Sequence, residues 1–369
     1  MLRRSRPTGT KRRPRDKGKM LRKRRKTRVI HVGNTPIGGG NPISVQSMTK
    51  TDTRNIPLTV KQIRLLEKAG CELIRIAVPD MEAARALGKI RASVAIPVIA
   101  DIHFDWRLAI EAIQQGVNGL RINPGNIGAR WKVAEVVSAA AGCAVPIRIG
   151  VNAGSLSKKL LEKYGHPTPE ALVQSATEHI AILEGLRFRE IKVSLKASNV
   201  PTTVEAYKLF ARRFSYPLHI GISEAGPAFA GTIKSSVGLG ILLSEGLGDT
   251  VRVSLSTDPI EEIRVAYEIL KSLGLRERGA NIISCPTCGR CEIDIKGLAS
   301  RVENRLKDVR KPITVAVMGC VVNGPGEARE ADIGIAGGKG FGLLFKKGKV
   351  VKRVEEDELL DALMSEVGE

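Results

Sequence analysis

The strongest constraint on the fold of this chain is a regular alternation of two sequence patterns between residues 43 and 273. Short runs rich in β-branched apolar residues predict strands, and each is followed by an amphipathic segment that predicts a helix. Eight strands are predicted, at 43–47, 73–78, 97–103, 118–122, 146–151, 190–194, 217–222 and 250–254. The helices that follow them are predicted at 59–69, 81–92, 106–115, 129–140, 169–185, 203–213, 232–245 and 259–273.

Eight consecutive strand–helix pairs are what a closed parallel barrel requires, whereas a doubly wound open sheet usually has five or six strands. Two helix starts are marked by a capping residue followed by proline, Thr168 before Pro169 and Asp258 before Pro259. The glycine-rich residues 29–42 predict a hairpin that leads into the barrel. We therefore predict an α/β fold in which residues 29–277 form a (β/α)8 TIM barrel.

Residues 278–369 follow a different pattern. Helices are predicted at 294–308 and 357–367, around short strands at 313–318, 332–336 and 350–353. This order predicts a second, smaller α+β domain. A chain of 369 residues also exceeds the size at which single cores stop growing.

The net charge of +21 is concentrated at the N-terminus, where residues 1–28 hold 15 Lys or Arg and one acid, Asp16. This segment has no apolar periodicity, so we predict a disordered basic tail over residues 1–28. Two interpretations stay open: translation begins at Met20, or the tail is an arm that binds anions. The chain has no apolar run long enough to span a membrane and no secretory signal pattern, so a cytoplasmic protein is expected.

Six of the eight predicted strands carry one basic residue between two apolar ones. Because successive side chains of a strand point to opposite faces, the basic side chains are expected to point into the lumen. Polar residues continue the same face toward the carboxyl ends of the strands. The basic residues are Arg75, Arg121, Arg148, Lys192, His219 and Arg252, and the polar residues are Asn123, Asn152, Ser194, Lys196 and Ser254.

Buried cations carry a large electrostatic cost unless anions lie among them. A single buried Arg is often paired with an internal acid, but only Asp101 and Glu224 are expected to face this lumen. Arg also binds phosphate oxygens well, and barrel active sites form at the carboxyl ends of the strands. The pattern therefore predicts a binding site for a phosphorylated ligand.

The cysteines of the second domain form a metal-binding pattern. Cys285 and Cys288 form a C-x-x-C pair followed by Cys291, and Cys320 lies in a separate glycine-rich turn. Such a pair can place two thiolates on one metal or cluster, and a further ligand can come from another turn. A thioredoxin-like redox pair fits less well because it needs no third cysteine. The spacing alone leaves structural zinc and an iron–sulfur cluster equally open.

Eight sequence strings between residue 29 and the C-terminus together carry a family resemblance. They are VQSMT at 45–49, ADIHF at 100–104, RINPGNIG at 121–128, RIGVNAGSL at 148–156, EAG at 224–226, GDTVRVSL at 248–255, CPTCGR at 285–290 and MGCVVNGPGE at 318–327. In these strings the chain resembles the 4-hydroxy-3-methylbut-2-enyl diphosphate synthases of the methylerythritol phosphate pathway, in their two-domain bacterial form. The resemblance favours iron–sulfur over zinc.

The resemblance implies a [4Fe–4S] cluster held by Cys285, Cys288, Cys320 and the carboxylate of Glu327, with Cys291 outside the site. It implies the reductive ring opening of 2-C-methyl-D-erythritol 2,4-cyclodiphosphate to 4-hydroxy-3-methylbut-2-enyl diphosphate. Glu224, with Asp101 as a second candidate, would supply the proton. The residues expected to bind the substrate are Arg54, Arg121, Asn123, Arg148, Asn152, Lys192, Lys196, Arg252 and Ser254.

The resemblance also implies partners. A homodimer is expected, in which the cluster domain of one subunit closes over the barrel of the other, with a flavodoxin or ferredoxin as electron donor. Two alternatives stay open. One is a zinc-containing nucleic-acid-binding protein with a basic arm, and the other is a barrel transferase similar to dihydropteroate synthase with a structural metal domain.

Overall fold

The computed structural model describes residues 21–320, 326 and 329–368. The chain forms two compact units that divide between Arg276 and Glu277, one residue before the predicted domain boundary. Among the described residues, no helix combines the length and the apolar character that crossing a membrane would need.

The first unit contains the predicted barrel, with eight parallel strands in the order β8-β7-β6-β5-β4-β3-β10-β9. An antiparallel hairpin precedes them, as predicted, and consists of β1 (Ile30–Val32) and β2 (Thr35–Ile37). The barrel strands are β3 (Ser44–Met48), β4 (Leu73–Ala77), β5 (Val98–Asp101), β6 (Gly119–Ile122), β7 (Ile147–Asn152), β8 (Ile191–Lys196), β9 (His219–Ile220) and β10 (Thr250–Val251).

Helices follow the strands, and two short ones, α4 and α6, are additions to the predicted pattern. The caps form as predicted: the Thr168 side chain accepts a hydrogen bond from Ala171 N–H, and the Asp258 side chain accepts one from Ile260 N–H. The helices are α1 (Ile56–Ala69), α2 (Met81–Ala92), α3 (Trp106–Gln114), α4 (Pro124–Ile127), α5 (Arg130–Gly142), α6 (Lys158–Tyr164), α7 (Pro169–Gly185), α8 (Val200–Arg213), α9 (Ala228–Ser244) and α10 (Pro259–Ser272).

The apolar core of the barrel lies between the strands and the surrounding helices, because the apolar residues that flank each inward cation face outward. Ile74, Ile76, Ile147 and Ile149 all belong to this one core and are buried. The hairpin forms a smaller apolar cluster with Leu73 and Ile99, which lie near the amino ends of their strands. The hairpin therefore covers one end of the barrel, and the carboxyl ends of the strands are left for a site.

The barrel closes in an unusual way between β8 and β9. Within the described residues these strands share one isolated backbone bridge, which pairs Val193 with Leu218. At the next rung the hydroxyl of the buried Tyr207 lies between the strands. It accepts a hydrogen bond from Leu195 N–H at 3.1 Å and donates one to the His219 carbonyl at 2.6 Å. A side chain thus satisfies two main-chain groups that a regular ladder would pair directly.

Residues 21–28 depart from the predicted disordered tail, because their backbone and arginines bind to the barrel. Arg24 Nη2 lies 3.1 Å from Oδ1 of the buried Asp249, and Arg25 Nη2 donates to the Tyr216 carbonyl at 2.7 Å. Residues 1–20 lie outside the described residues. The buried Asp249 carboxylate and the Tyr216 carbonyl are satisfied by these arginines, which explains why a basic segment is ordered here.

The second unit is an α+β domain around a five-stranded sheet in the order β11-β12-β13-β14-β15. The first three strands are parallel and the last two pairings are antiparallel. Its elements are β11 (Ala280–Ser284), α11 (Ile295–Leu306), β12 (Ile313–Met318), β13 (Ile333–Gly338), β14 (Phe341–Lys346), β15 (Lys349–Glu355) and α12 (Leu359–Val367). Apolar residues of both helices pack on the sheet in one core.

Candidate active site

A polar cavity of about 370 Å³ opens at the carboxyl ends of the barrel strands. Most of its wall comes from residues that the strand pattern placed on the inner face. The predicted site residues that line it are Arg121, Arg148, Asn152, Lys196, Glu224, Arg252 and Ser254. The prediction of a cationic lumen thus agrees with the position of these side chains.

One acid in this region is already paired with cations. Asp101 Oδ1 lies 3.0 Å from Arg121 Nη1, and its Oδ2 lies 3.4 Å from Arg75 Nε. Burial tends to raise the pKa of the Asp101 carboxyl, but Arg75, His103 and Arg121 together lower it far below its usual value. A carboxylate that is held ionised in this way is a poor proton donor. Its geometry suits it to orient Arg121.

Three cations of the cavity have buried nitrogen atoms without partners among the described residues, and Nε of Arg121 is one of these atoms although its Nη1 is paired with Asp101. Nε and Nη1 of Arg148, and Nε of Arg252, donate to no partner within the part of the chain that the structure describes. Burial, followed by the charges of Arg75 and Arg121, lowers the pKa of the Arg148 guanidinium well below its usual value. Unsatisfied donors in a buried cation are costly, and an anionic ligand would satisfy them.

Glycines make room for two of these cations. A Cβ atom added at Gly150 would lie 2.4 Å from Arg121 Nε, and one at Gly221 would lie 2.9 Å from Lys196 Nζ. At Gly221 the added atom would also lie 2.3 Å from the main-chain oxygen of Arg252. A larger residue at Gly150 would therefore displace the Arg121 side chain, and one at Gly221 would displace backbone as well as Lys196. The inner face of β7 and the end of β9 therefore require glycine for packing reasons.

Glu224 lies in the loop after β9, is exposed and lines the cavity. Its backbone has a φ of +52°, a left-handed conformation that is uncommon for a residue other than glycine. Strained backbone of this kind is concentrated at functional sites. The acid side chain thus combines access to solvent with a fixed position at the mouth of the cavity.

Four predicted site residues do not line the cavity. Asp101 lies behind Arg121 as described. Arg54 is exposed and paired with Asp52 at 2.7 Å and with Asp80 at 3.3 Å. Asn123 caps α4, with its side-chain oxygen accepting from Gly125 N–H at 3.1 Å. Lys192 is fully buried, its Nζ has no partner among the described residues, and burial lowers its pKa to about 7.

The cavity is also lined by three charged residues that are not among the predicted site residues. Arg75 is one of the cations that the strand pattern predicts to point inward. It lines the cavity and is paired with Asp101. Lys50 lies two residues after the end of β3, so it continues the face of Met48 and could have been predicted from the strand-end pattern. Glu262 reaches the cavity from α10, where its Oε1 lies 3.3 Å from Lys50 Nζ. Because Glu262 lies on a helix, the strand-end pattern cannot identify it. Its place in the cavity wall follows only from the packing of α10 against the barrel.

Two of the predicted cluster ligands, Cys285 and Cys320, lie at one edge of the second unit. Cys285 follows β11 and Cys320 follows β12, and these neighbouring strands run parallel in register. The Gly319 N–H donates to Cys285 Sγ at 3.2 Å, a bond that stabilises a thiolate ligand. Cys291 Sγ donates instead to the Ile293 carbonyl at 3.2 Å. The donor chemistry of Cys285 and the neighbouring Cys320 loop thus fits a sulfur-ligated group.

The complete ligand set is not assembled in the part of the chain that the structure describes. Within it, no group of three or more His, Cys, Asp or Glu side chains is arranged to hold a metal ion. Glu327, the predicted carboxylate ligand, lies outside the described residues.

Comparison with known families decides between the interpretations of this architecture. Residues 27–267 match the family described as "GcpE TIM-barrel domain", and residues 281–369 match "GcpE protein C-terminal domain". The chain belongs to the GcpE family. Both GcpE matches fall within the two compact units of the structure, and neither unit is left without a match.

Curated GcpE-family relatives match over nearly their whole length. A Thermodesulfovibrio yellowstonii protein is 63% identical over 94% of this chain and 99% of its own length. A Geobacter sulfurreducens protein is 63% identical over 93% of this chain and 97% of its own length. Both relatives are named "4-hydroxy-3-methylbut-2-en-1-yl diphosphate synthase (flavodoxin)".

Among solved structures, the Yersinia pestis dihydropteroate synthase is similar to the barrel of this GcpE-family chain. The match has a TM-score of 0.48 and 12% identity, and covers 67% of this chain and 98% of that one. Similarity at this level says nothing about activity. The family matches instead disfavour both the zinc-containing nucleic-acid binder and the dihydropteroate-synthase-like transferase.

Proposed function

We propose that this protein catalyses the reductive ring opening of 2-C-methyl-D-erythritol 2,4-cyclodiphosphate to 4-hydroxy-3-methylbut-2-enyl diphosphate, a step in isoprenoid precursor synthesis. The observation that carries the proposal is the cavity at the carboxyl ends of the strands, where Arg148 and Arg252 keep buried donors unpaired. The names of relatives that are 63% identical support the same reaction.

The cations of the cavity bind the diphosphate in this proposal. Arg148, Arg252 and Lys196 present donors to phosphate oxygens, and Arg121 is oriented by Asp101 to do the same. Asn152 and Ser254 line the same wall and orient the sugar-derived part of the substrate. As the ring opens, charge builds up on the released diphosphate oxygen, and fixed cations at that position stabilise it.

Glu224 is proposed as the proton donor. The reaction takes up two electrons and releases one oxygen of the substrate as water, so a proton must reach the departing hydroxyl. Glu224 lines the cavity from a backbone position fixed by its own loop, and its exposure allows protons to be exchanged with solvent. Asp101 is unsuited to this step because its carboxylate is held ionised by Arg75 and Arg121.

Cys285, Cys288, Cys320 and Glu327 are proposed to hold a [4Fe–4S] cluster. Such a cluster, when bound, supplies the electrons of the reaction one at a time. The Gly319 N–H that donates to Cys285 Sγ supports this assignment. A flavodoxin or ferredoxin is proposed as the donor, and the names of the relatives specify flavodoxin.

The proposed function is tested by anaerobic turnover of the cyclic diphosphate with a chemical reductant, combined with metal and acid-labile sulfide analysis. We expect product only when reductant is present, in protein that contains iron and sulfide. Colourless protein containing zinc alone, or no conversion by iron-loaded protein, would reject the proposal.

The role of Glu224 predicts the behaviour of a Glu224→Gln variant. Gln keeps the size of the side chain but cannot donate the proton, so turnover is expected to fall by about 100-fold or more. Binding of the cyclic diphosphate should change little. Steady-state kinetics and calorimetric binding measure the two effects separately. Glu268→Gln, at an exposed site on α10, is the matched control and should keep full activity.

A homodimer is also proposed, and the outer side of α9 supports it. Phe229, Ile233, Val237 and Ile241 follow one another at helical spacing and are all exposed, Phe229 by 82%. Helices that are apolar on both faces are normally covered by other protein, and an apolar stripe of this kind is typical of an interaction site.

A charge placed in the middle of this stripe should weaken the dimer. We expect Ile233→Lys to shift the protein toward monomer, with at least a 10-fold increase in the dimer dissociation constant. Sedimentation velocity over a range of concentrations measures this shift. Val350→Lys is the control, since Val350 is similarly exposed at 57% but lies on β15 of the other unit. An unchanged association state in Ile233→Lys would exclude α9 as the interface.

A further inference from the structure

The ammonium of Lys196 is held in a slot in the cavity wall. Its Nζ lies 3.2 Å from Nε2 of His219, and a Cβ atom on Gly221 would lie 2.9 Å away from it. His219 and Gly221 are two residues apart around β9, so both point to the inner face. Lys196 Nζ therefore lies between the imidazole of His219 and the backbone of Gly221, in space that a side chain at position 221 would occupy.

His219 is itself fixed on three sides. It is completely buried, its Nδ1 lies 2.8 Å from Thr250 Oγ1 on β10, and its carbonyl accepts the hydrogen bond of the Tyr207 hydroxyl. The charged groups that face it are Lys196, Arg148, Lys192 and Arg75. Burial and these four cations lower its pKa well below the usual value, which favours the neutral imidazole.

The neutral ring carries one N–H, and its neighbours determine where that hydrogen is. Burial, followed by the charges of Arg148 and Arg252, also lowers the pKa of the Lys196 amine, and an anionic ligand in the cavity favours its charged form. In that form the ammonium has only donors, so Nε2 accepts a hydrogen bond from it. The hydrogen then resides on Nδ1, which donates to the Thr250 hydroxyl oxygen. This arrangement uses one donor of Lys196 and leaves its other two for a ligand in the cavity.

We propose that His219 is a positioning residue for Lys196: as the Nδ1–H tautomer, anchored by Thr250, it accepts a hydrogen bond from the ammonium and directs that cation at an anionic ligand. The inference rests on the proposed function in that Lys196 is one of the cations assigned to the diphosphate. A lysine side chain is otherwise flexible, and fixing it before binding removes an entropic cost of recognition.

Substitution of His219 by Gln or Asn can test its two hydrogen bonds one at a time: the bond of Nε2 to Lys196 and the bond of Nδ1 to Thr250. The amide of Gln reaches the position of Nε2, whereas the amide of Asn reaches only that of Nδ1. We expect His219→Gln to bind inorganic pyrophosphate within about 3-fold of the parent, and His219→Asn to bind it about 10-fold more weakly, since a hydrogen bond to a charged group is lost. Isothermal calorimetry on the cluster-loaded protein measures both. Equal losses in Gln and Asn variants would overturn the proposal.

A second measurement does not depend on how these variants fold. In protein that carries nitrogen-15-labelled histidine, His219 should show a protonated Nδ1 and an unprotonated Nε2, and its Nε2 signal should shift in Lys196→Met. Thr250→Val should weaken this tautomer preference and lower pyrophosphate affinity by a few-fold. A protonated Nε2 in the parent protein would overturn the proposal.

These readouts are separate from the reaction itself. If the parent protein fails to convert the cyclic diphosphate but the pyrophosphate and tautomer results are as expected, the proposed reaction fails and the role of His219 stands. If turnover occurs but both readouts contradict the expectation, the role of His219 fails alone.

Discussion

Replacing Arg148 with methionine is expected to weaken diphosphate binding by about 100-fold or more while making the ligand-free protein more stable. Arg148 is buried, and its Nε and Nη1 have no partner among the described residues. Two charge-assisted hydrogen bonds to phosphate account for the loss of affinity. Removing an uncompensated buried cation should raise the free energy of unfolding by about 1–4 kcal/mol. Calorimetric binding and denaturant unfolding of the ligand-free protein measure the two effects.

Two other Arg→Met variants serve as comparisons. Arg64 is exposed on α1 and donates to the Ser93 carbonyl, so Arg64→Met should change stability by less than about 0.5 kcal/mol and leave binding intact. Arg121 is paired with Asp101, so Arg121→Met should lose both affinity and stability. If Arg148→Met is destabilised like Arg121→Met, then Arg148 is satisfied in the free protein and the central argument for an anion site is wrong.

Replacing Cys320 with alanine is expected to abolish reductive turnover. Cys320 is buried and follows β12, next to the Gly319 amide that donates to Cys285 Sγ. Loss of one of three thiolates should prevent stable assembly of an iron–sulfur cluster, so the iron and sulfide content should fall together with activity. Anaerobic purification, iron and sulfide analysis and turnover with a chemical reductant provide the test.

The remaining cysteines provide controls for this variant. Cys143 is exposed in the barrel unit, and Cys143→Ala should keep iron, sulfide and activity. Cys291 donates to the Ile293 carbonyl and is expected to lie outside the ligand set, so Cys291→Ala should retain the cluster. A Cys320→Ala protein with a normal iron content and full turnover would contradict the proposed ligand set.

Much of the barrel could be predicted because its signals are local. The β-branched runs, the alternation of side chains and the proline-marked starts at Thr168 and Asp258 depend on neighbours in sequence, and the structure confirms them. β14 was missed because it contains and follows glycines, with Gly338, Gly340 and Gly342 interrupting the apolar pattern. The short helices α4 and α6 lie in loops whose conformation depends on the rest of the barrel.

The residues of the candidate site also fall into those that could be predicted from local sequence and those that could not. Arg121, Arg148 and Arg252 lie in the cavity wall, on the strand face that the periodicity indicated, because the face of a strand residue follows from its register. The periodicity could not show which cations are paired. Asp101 binds Arg75 and Arg121 but leaves Arg148 without a carboxylate, a distinction that depends on distances across three strands. The ion pairs of the loop residue Arg54 could not be predicted either. Its guanidinium is paired with Asp52 and Asp80 at the surface.

The Tyr207 hydroxyl joins β8 and β9 where main-chain pairing between barrel strands is sparse. The other barrel strands pair through main-chain hydrogen bonds. Here the Tyr207 hydroxyl replaces one such pairing, because it accepts from one strand and donates to the next. Lys196 lies on β8 and His219 lies on β9, so their hydrogen bond spans the same two strands. The Tyr207 hydroxyl thus joins the same two strands that carry these two nitrogens, so a shorter or longer side chain at position 207 would change the strand separation on which the Lys196–His219 hydrogen bond depends.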